Sequence, residues 1–141
     1  MNARPDDELT DKDYQRLARF RHGLRVFLRF SEEAARFEGI TPAQHQLMLA
    51  VRGWPHPQDP TLTNLAEALQ LRLHSAGELA RRAQAAGLVD LHVDPSDHRR
   101  QHVSLTAMGA EKLRALSVLH RDELRRFGAD LSDLFTGDES F

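Results

Sequence analysis

Thr61-Leu62-Thr63-Asn64-Leu65-Ala66-Glu67-Ala68-Leu69, followed by Gln70-Leu71-Arg72 and then by Leu73 to Ala86, decides how this chain folds. Thr61 is a good N-cap residue, and Asn64, three positions on, stands in for the Glu or Gln of a capping box. Leu62, Leu65, Ala66 and Leu69 share one face of the short helix that results. Gln70 to Arg72 make a turn. A second helix, from about Leu73 to Ala86, turns Ala76, Leu79, Ala80 and Ala83 inward, and Gly87 stops it where glycine is favoured. Two short helices joined by a tight turn are a helix-turn-helix.

The residues that follow change period. Leu88-Val89-Asp90-Leu91-His92-Val93 alternates in the manner of a strand. Asp94 to Arg100 form a turn with charges at its tip, Gln101-His102-Val103-Ser104-Leu105 returns as a second strand, and Thr106 caps a long helix. In order, the chain reads Ala-Ala-Gly-Leu-Val (from Ala85), Asp-Pro-x-Asp-x-Arg (Asp94, Pro95, Asp97, Arg99) and Leu-Thr-x-x-Gly (Leu105, Thr106, Gly109). This series closely resembles the winged helix-turn-helix of MarR-family transcriptional regulators, over roughly residues 10 to 127. The resemblance implies a homodimeric regulator that binds double-stranded DNA, with Arg99 as the wing arginine in the minor groove. Two positions depart from the family's habit: Leu91 and His98 stand where its members often carry Arg.

Working outward, Thr10-Asp11-Lys12-Asp13 starts a long helix with acids at its positive end. Its stripe of Leu17, Phe20, Leu24, Phe27, Leu28, Ala34 and Ala35 is widened by Phe30 and Phe37, which asks for packing partners on more than one side. Gly39 ends it. Thr41-Pro42-Ala43-Gln44 opens the next helix with a Thr cap, Pro at the first position and Gln in the capping-box place. A proline-rich loop, Gly53 to Pro60, carries the only tryptophan, Trp54. After Thr106 the helix is expected to reach about Phe127, to be interrupted at Gly128, and to be followed by a short helix through Leu131, Leu134 and Phe135. The expected fold is mostly α (α+β), a winged helix-turn-helix with long N- and C-terminal dimerisation helices. Its parts are a flexible arm over 1–9, a dimerisation helix over 10–38, the DNA-binding domain over 41–105, dimerisation helices over 106–135 and a tail over 136–141.

Composition narrows the chemistry. The chain has 141 residues, 40% hydrophobic, which fits one domain with its own core. It has no cysteine, so disulfides, thiolate ligands and thiol redox sensing are excluded. The absence of a long apolar run and of a signal-peptide core leads to the expectation of a cytoplasmic protein with no membrane partner. Net charge is −2, yet all but two (Lys12 and Lys112) of the 19 Lys and Arg residues are arginine, the side chain that forks onto phosphates and guanine edges. Residues 72–102 are only modestly basic, because Glu78, Asp90, Asp94 and Asp97 offset most of their arginines.

In a helix-turn-helix the start of the second helix meets base edges in the major groove. The outward residues there are Arg72, His74, Ser75, Glu78, Arg81 and Arg82, and Glu78 also has Arg81 and Arg82 in reach for a helical ion pair. Gly77 costs about 1 kcal/mol against alanine, which makes sense where something packs closely. Arg99 and Arg100 at the hairpin tip suit a narrow minor groove, with Asp94 and Asp97 holding the turn. His92, His98 and His102 lie on one hairpin, with His92 and His102 on facing strands, but a zinc site needs three or four ligands of definite geometry and no thiolate is present, so no metal and no cofactor is expected. His22 and Arg25 on the first helix, His45 on the second and Trp54 are the groups expected to converge on a small aromatic effector. The competing reading is a winged-helix module for protein–protein contact without a DNA role. No paired carboxylates, nucleophile–base pattern or phosphate loop point to an enzyme.

Overall fold

A computed structural model describes residues 8–136, with side chains through Leu134. The elements are α1 (Asp11–Phe37), α2 (Pro42–Arg52), α3 (Leu62–Ala68), α4 (Leu73–Ala85), β1 (Val89–Val93), β2 (Gln101–Leu105) and α5 (Ala107–Thr136). The expected arm, apart from Glu8 and Leu9, and the expected tail beyond Thr136 lie outside the described residues. The chain forms two compact units: Glu32–Leu119, and the residues up to Ser31 together with those from His120 onward. α1 and α5 each supply turns to both.

Within Glu32–Leu119 the helix ends are fixed by short-range hydrogen bonds. Thr61 Oγ1 accepts from the Asn64 amide at 3.1 Å, while Asn64 Oδ1 accepts from the Thr61 amide at 2.9 Å, so Asn completes the capping box as Gln44 does for Thr41. Thr61→Ala should therefore cost about 1 kcal/mol, read as a lower urea midpoint at unchanged slope. Between α3 and α4 the chain turns at Gln70, whose φ of 54° is left-handed and whose Nε2 donates to the Glu67 carbonyl at 2.8 Å. Gly87, at φ 78°, follows the C-cap Ala86 and releases the chain into β1.

β1 and β2 pair antiparallel in the register Val89↔Leu105, Leu91↔Val103, His92↔His102. A further bridge joins Thr61 to His102, and the Val103 amide donates to the Pro60 carbonyl at 2.9 Å. The loop before α3 is thereby sewn to the hairpin. Leu47, Met48, Leu65, Ala80, Ala83, Leu88, Val89, Val103, Leu113 and Leu116 form the core beneath. Thr106 closes the module: its Oγ1 donates to the Gly87 carbonyl at 2.6 Å and accepts from the Gly109 amide at 3.0 Å.

The second unit pairs the start of α1 with the end of α5. Phe27 stacks on Phe127 at 5.4 Å between centroids, Phe27 and Phe30 meet the His120 ring edge-on, and His120 Nε2 lies 2.8 Å from Ser31 Oγ.

Two expectations are corrected. α5 does not break at Gly128 but runs unbroken to Thr136. One glycine costs about 1 kcal/mol of helix propensity, less than the apolar residues on either side recover by packing. A Cβ at 128 would meet nothing within 4 Å, so Gly128→Ala should raise stability by up to about 1 kcal/mol in a urea titration. Leu116, within the stretch over 106–135 expected to serve dimerisation, is 0% exposed in the core of Glu32–Leu119.

Candidate nucleic-acid interface

The start of α4 presents its polar side chains to solvent. Arg72, His74, Ser75, Arg81 and Arg82 are exposed and Glu78 half-buried, while Ala76, Ala80 and Ala83 face the core. Arg81 Nη2 donates to Glu78 Oε1 at 2.7 Å, and that guanidinium holds the Glu78 carboxyl below its usual range. A Cβ on Gly77 would lie 3.3 Å from Arg81 Nη1. The close neighbour of Gly77 is thus the folded-back Arg81 of its own helix. That arrangement leaves Arg72, His74, Ser75 and Arg82 as the unencumbered polar groups of the reading turns.

The hairpin tip is built by two aspartates. Asp94 Oδ1 accepts from the Ser96 amide at 2.8 Å, the Ser96 hydroxyl at 2.7 Å and the Asp97 amide at 3.1 Å. Asp97 Oδ1 accepts from the Arg99 amide at 3.0 Å and from Arg99 Nε at 3.3 Å, and Arg100 Nε lies 3.8 Å from Asp97 Oδ2. The aspartates satisfy turn amides that would otherwise need water, and Asp97 takes each arginine at its Nε. The terminal guanidinium nitrogens are left outward, with the Arg99 side chain 91% exposed and that of Arg100 66%.

Reading helix and tip share one cleft of about 310 Å³. It is lined by Thr61, Thr63, Asn64, Leu73, Arg99, Arg100 and Gln101, with Leu73 as the reading helix's contribution. Two of these groups were not legible beforehand. Leu73 is apolar yet 56% exposed at the first position of α4, and the start of α3 became part of the cleft only through its bridge to β2.

The residues expected to meet an effector divide between the two units. His22 and Arg25 are exposed on α1 in one; in the other, His45 is buried on α2 and Trp54 sits half-exposed in the loop, stacked edge-on against His56 at 5.0 Å. Neither unit contains a site formed by all four. His92 and His102 do face each other across the hairpin, rings 5.5 Å apart and 16° from parallel. Among the described residues no group of three or more His, Cys, Asp or Glu is arranged to hold a metal ion, and no helix is long and apolar enough to cross a membrane.

Known proteins agree with this geometry. Residues 38–100 match the sequence model of the MarR family. No curated protein matches the chain. Among solved structures, AbsC, a MarR-family transcriptional regulator from Streptomyces coelicolor, is similar at 22% identity and a TM-score of 0.74, over 88% of this chain and 83% of that one. The MarR-family transcription regulator SP03579 gives 24% identity and 0.73, over 84% and 77%. The structure of Staphylococcus aureus MepR in complex with DNA gives 22% and 0.69, over 88% and 86%. Identities this low speak for the fold. Residues 38–100, the winged helix-turn-helix, thus match the MarR family, and the fold is the one that MarR-family regulators share.

Proposed function

We propose that this protein is a sequence-specific DNA-binding repressor that acts in the cytoplasm as a homodimer on a pseudo-palindromic operator. The observation that carries the reading is the placement of the exposed start of α4 and the Arg99–Arg100 tip around one cleft, with both arginines anchored at their roots and open at their ends. A major-groove helix beside a cationic minor-groove probe spans the backbone between adjacent grooves. Arg72, Arg82, Arg99 and Arg100 would supply phosphate and groove contacts, and His74 and Ser75 base edges. Leu73 suits a thymine methyl group. Glu78 and Arg81, being paired, would act chiefly through their shared geometry.

Filter binding to genomic duplexes across salt concentrations tests the reading, because each phosphate contact adds about 0.9 to the log–log slope. A steep slope with preference for particular fragments supports it. A flat slope would favour the protein-contact module that the weakly basic reading segment also allows. Ser75→Ala should change sequence preference by about 1 kcal/mol at one base step while leaving the salt slope unchanged.

Dimerisation rests on the apolar residues that each unit leaves exposed on α1 and α5, among them Leu17, Val26, Leu28, Leu119 and Leu124. Burial across a two-fold axis would return about 25 cal/mol per Å² and set two reading helices roughly 34 Å apart. Sedimentation equilibrium at micromolar concentration should give a dimer, and a monomer there would remove the palindrome with it. An aromatic carboxylate acting as effector would find a cation and ring partners in Arg52, Trp54 and His56, which line one pocket of about 240 Å³. Quenching of the single tryptophan by benzoate tests that, and unchanged emission at saturating benzoate would remove the site.

A further inference from the structure

The root of the wing holds a polar cluster around His102 that includes Asp94, the carboxylate that also builds the tip. His102, 8% exposed, has both ring nitrogens against oxygen acceptors: Nδ1 lies 2.6 Å from the Asp59 carbonyl and Nε2 2.7 Å from Asp94 Oδ2. A backbone carbonyl and an ionised carboxylate can only accept, and a neutral imidazole carries one N–H and one lone pair. In either neutral tautomer one of these contacts would set a lone pair against an oxygen. Only the imidazolium, donating from both nitrogens, satisfies the two together.

We propose that His102 is a positioning residue for the wing, whose doubly protonated ring clamps the wing turn, through Asp94, to the loop entering α3, through Asp59. Losing that proton frees Asp94, the carboxylate that also gathers the Ser96 and Asp97 amides beneath Arg99. The wing then loosens and DNA is released as pH rises. The last consequence rests on the DNA-binding reading; the clamp does not.

The acidic groups against the ring favour its charged form and outweigh its burial. Asp94 comes from the wing turn and Asp59 from the loop, while His92 of β1 stacks on the ring face with its Nε2 3.6 Å from Asp59 Oδ2. α2 and α3 also pack on β2; their Arg52 and Glu67 are exposed, and His45 is buried on α2. The Asp94 carboxylate, and after it the Asp59 carbonyl, raise the His102 value above the ordinary 6.5. The same contact, with the Ser96 bonds, holds Asp94 well below 3.8. A raised histidine contributes stability in full below its unfolded value and loses it as pH climbs through the folded one. A depressed aspartate loses its contribution only as pH falls through its own folded value. The clamp is therefore closed below the ordinary histidine value of 6.5 and opens as pH rises through the raised value.

Long-range proton–nitrogen correlation spectra of the ¹⁵N-labelled full chain, followed across the histidine range and beyond, test the proposal without any substitution. Both His102 nitrogens should stay protonated as pH rises through the ordinary histidine value of 6.5. Their deprotonation should coincide with faster exchange of the Ser96 and Asp97 amides and with a fall in duplex affinity of up to about tenfold per pH unit per wing. Asp94→Asn should return His102 to an ordinary titration and leave affinity low and nearly flat with pH, whereas loss of a purely structural bond would lower affinity and keep the slope. Deprotonation of His102 at or below pH 6.5 would overturn the clamp. The expected His102 titration with affinity unmoved by it would overturn the coupling. The expected titration in a chain that holds no duplex at any pH would sink the DNA reading and leave the clamp standing.

Discussion

Replacing Gly109 with alanine is expected to cost about 3 kcal/mol or more, the largest single-residue loss of stability foreseen here. An ideal Cβ at 109 would overlap the Leu88 carbonyl oxygen and fall 2.9 Å from its carbon and 3.2 Å from its Cα. All three are backbone atoms, and Leu88, 1% exposed, cannot move aside without disturbing the core. The Leu88 carbonyl also accepts the Thr106 amide at 3.1 Å, and Thr106 Oγ1 holds the Gly109 amide and the Gly87 carbonyl. One methyl group would thus wedge open the joint between α4, the hairpin and α5. Urea denaturation followed by far-UV circular dichroism reads the loss directly, with Gly128→Ala as the opposite-signed control. A midpoint within experimental error of the parent would show that α5 can shift away from Leu88 at little cost.

Arg99→Ala with Arg100→Ala is expected to produce the largest loss of DNA affinity at unchanged fold. Both side chains are mostly exposed and make no core contact, so circular dichroism and the urea midpoint should not move by more than about 0.5 kcal/mol. The proposed dimer would carry the pair twice. Loss of up to four cationic contacts should flatten the log–log salt slope by roughly three to four units and weaken binding to all duplexes by about a hundredfold or more at moderate salt. The effect should be nearly independent of sequence, because an exposed tip reads groove potential more than base identity. An unchanged slope would mean that the tip does not touch DNA. A loss confined to particular sequences would mean that it reads bases.

Read from the residues alone, this protein already discloses its helix starts, its hairpin and the order that joins them. Thr41 with Gln44, Thr61 with Asn64 and Gly87 act through hydrogen bonds or backbone angles within three or four residues of themselves, so their consequences follow from spacing. The alternation over Leu88–Val93 and Gln101–Leu105 is equally local. Asn64 performs as a capping-box partner because an amide oxygen at that position needs only to reach the N-cap amide.

What tertiary structure alone decided involves partners far apart in the chain. Gly109 owes its identity to the Leu88 carbonyl, which nothing in Leu-Thr-x-x-Gly reveals. Gly77 admits the Arg81 guanidinium of its own helix. Leu116 lies in the core because α5 packs on the winged module there, and the helix crosses Gly128 because side-chain packing outweighs one residue's propensity. His102 meets Asp59 across 43 residues and Asp94 across eight. Which polar groups become neighbours after so long a loop closes depends on the register of β1 against β2 and on the Thr61 bridge, and a one-residue slip would turn His102 to the other face. The local hydrogen-bonding pattern determines the elements; the packing of those elements determines which side chains share a proton.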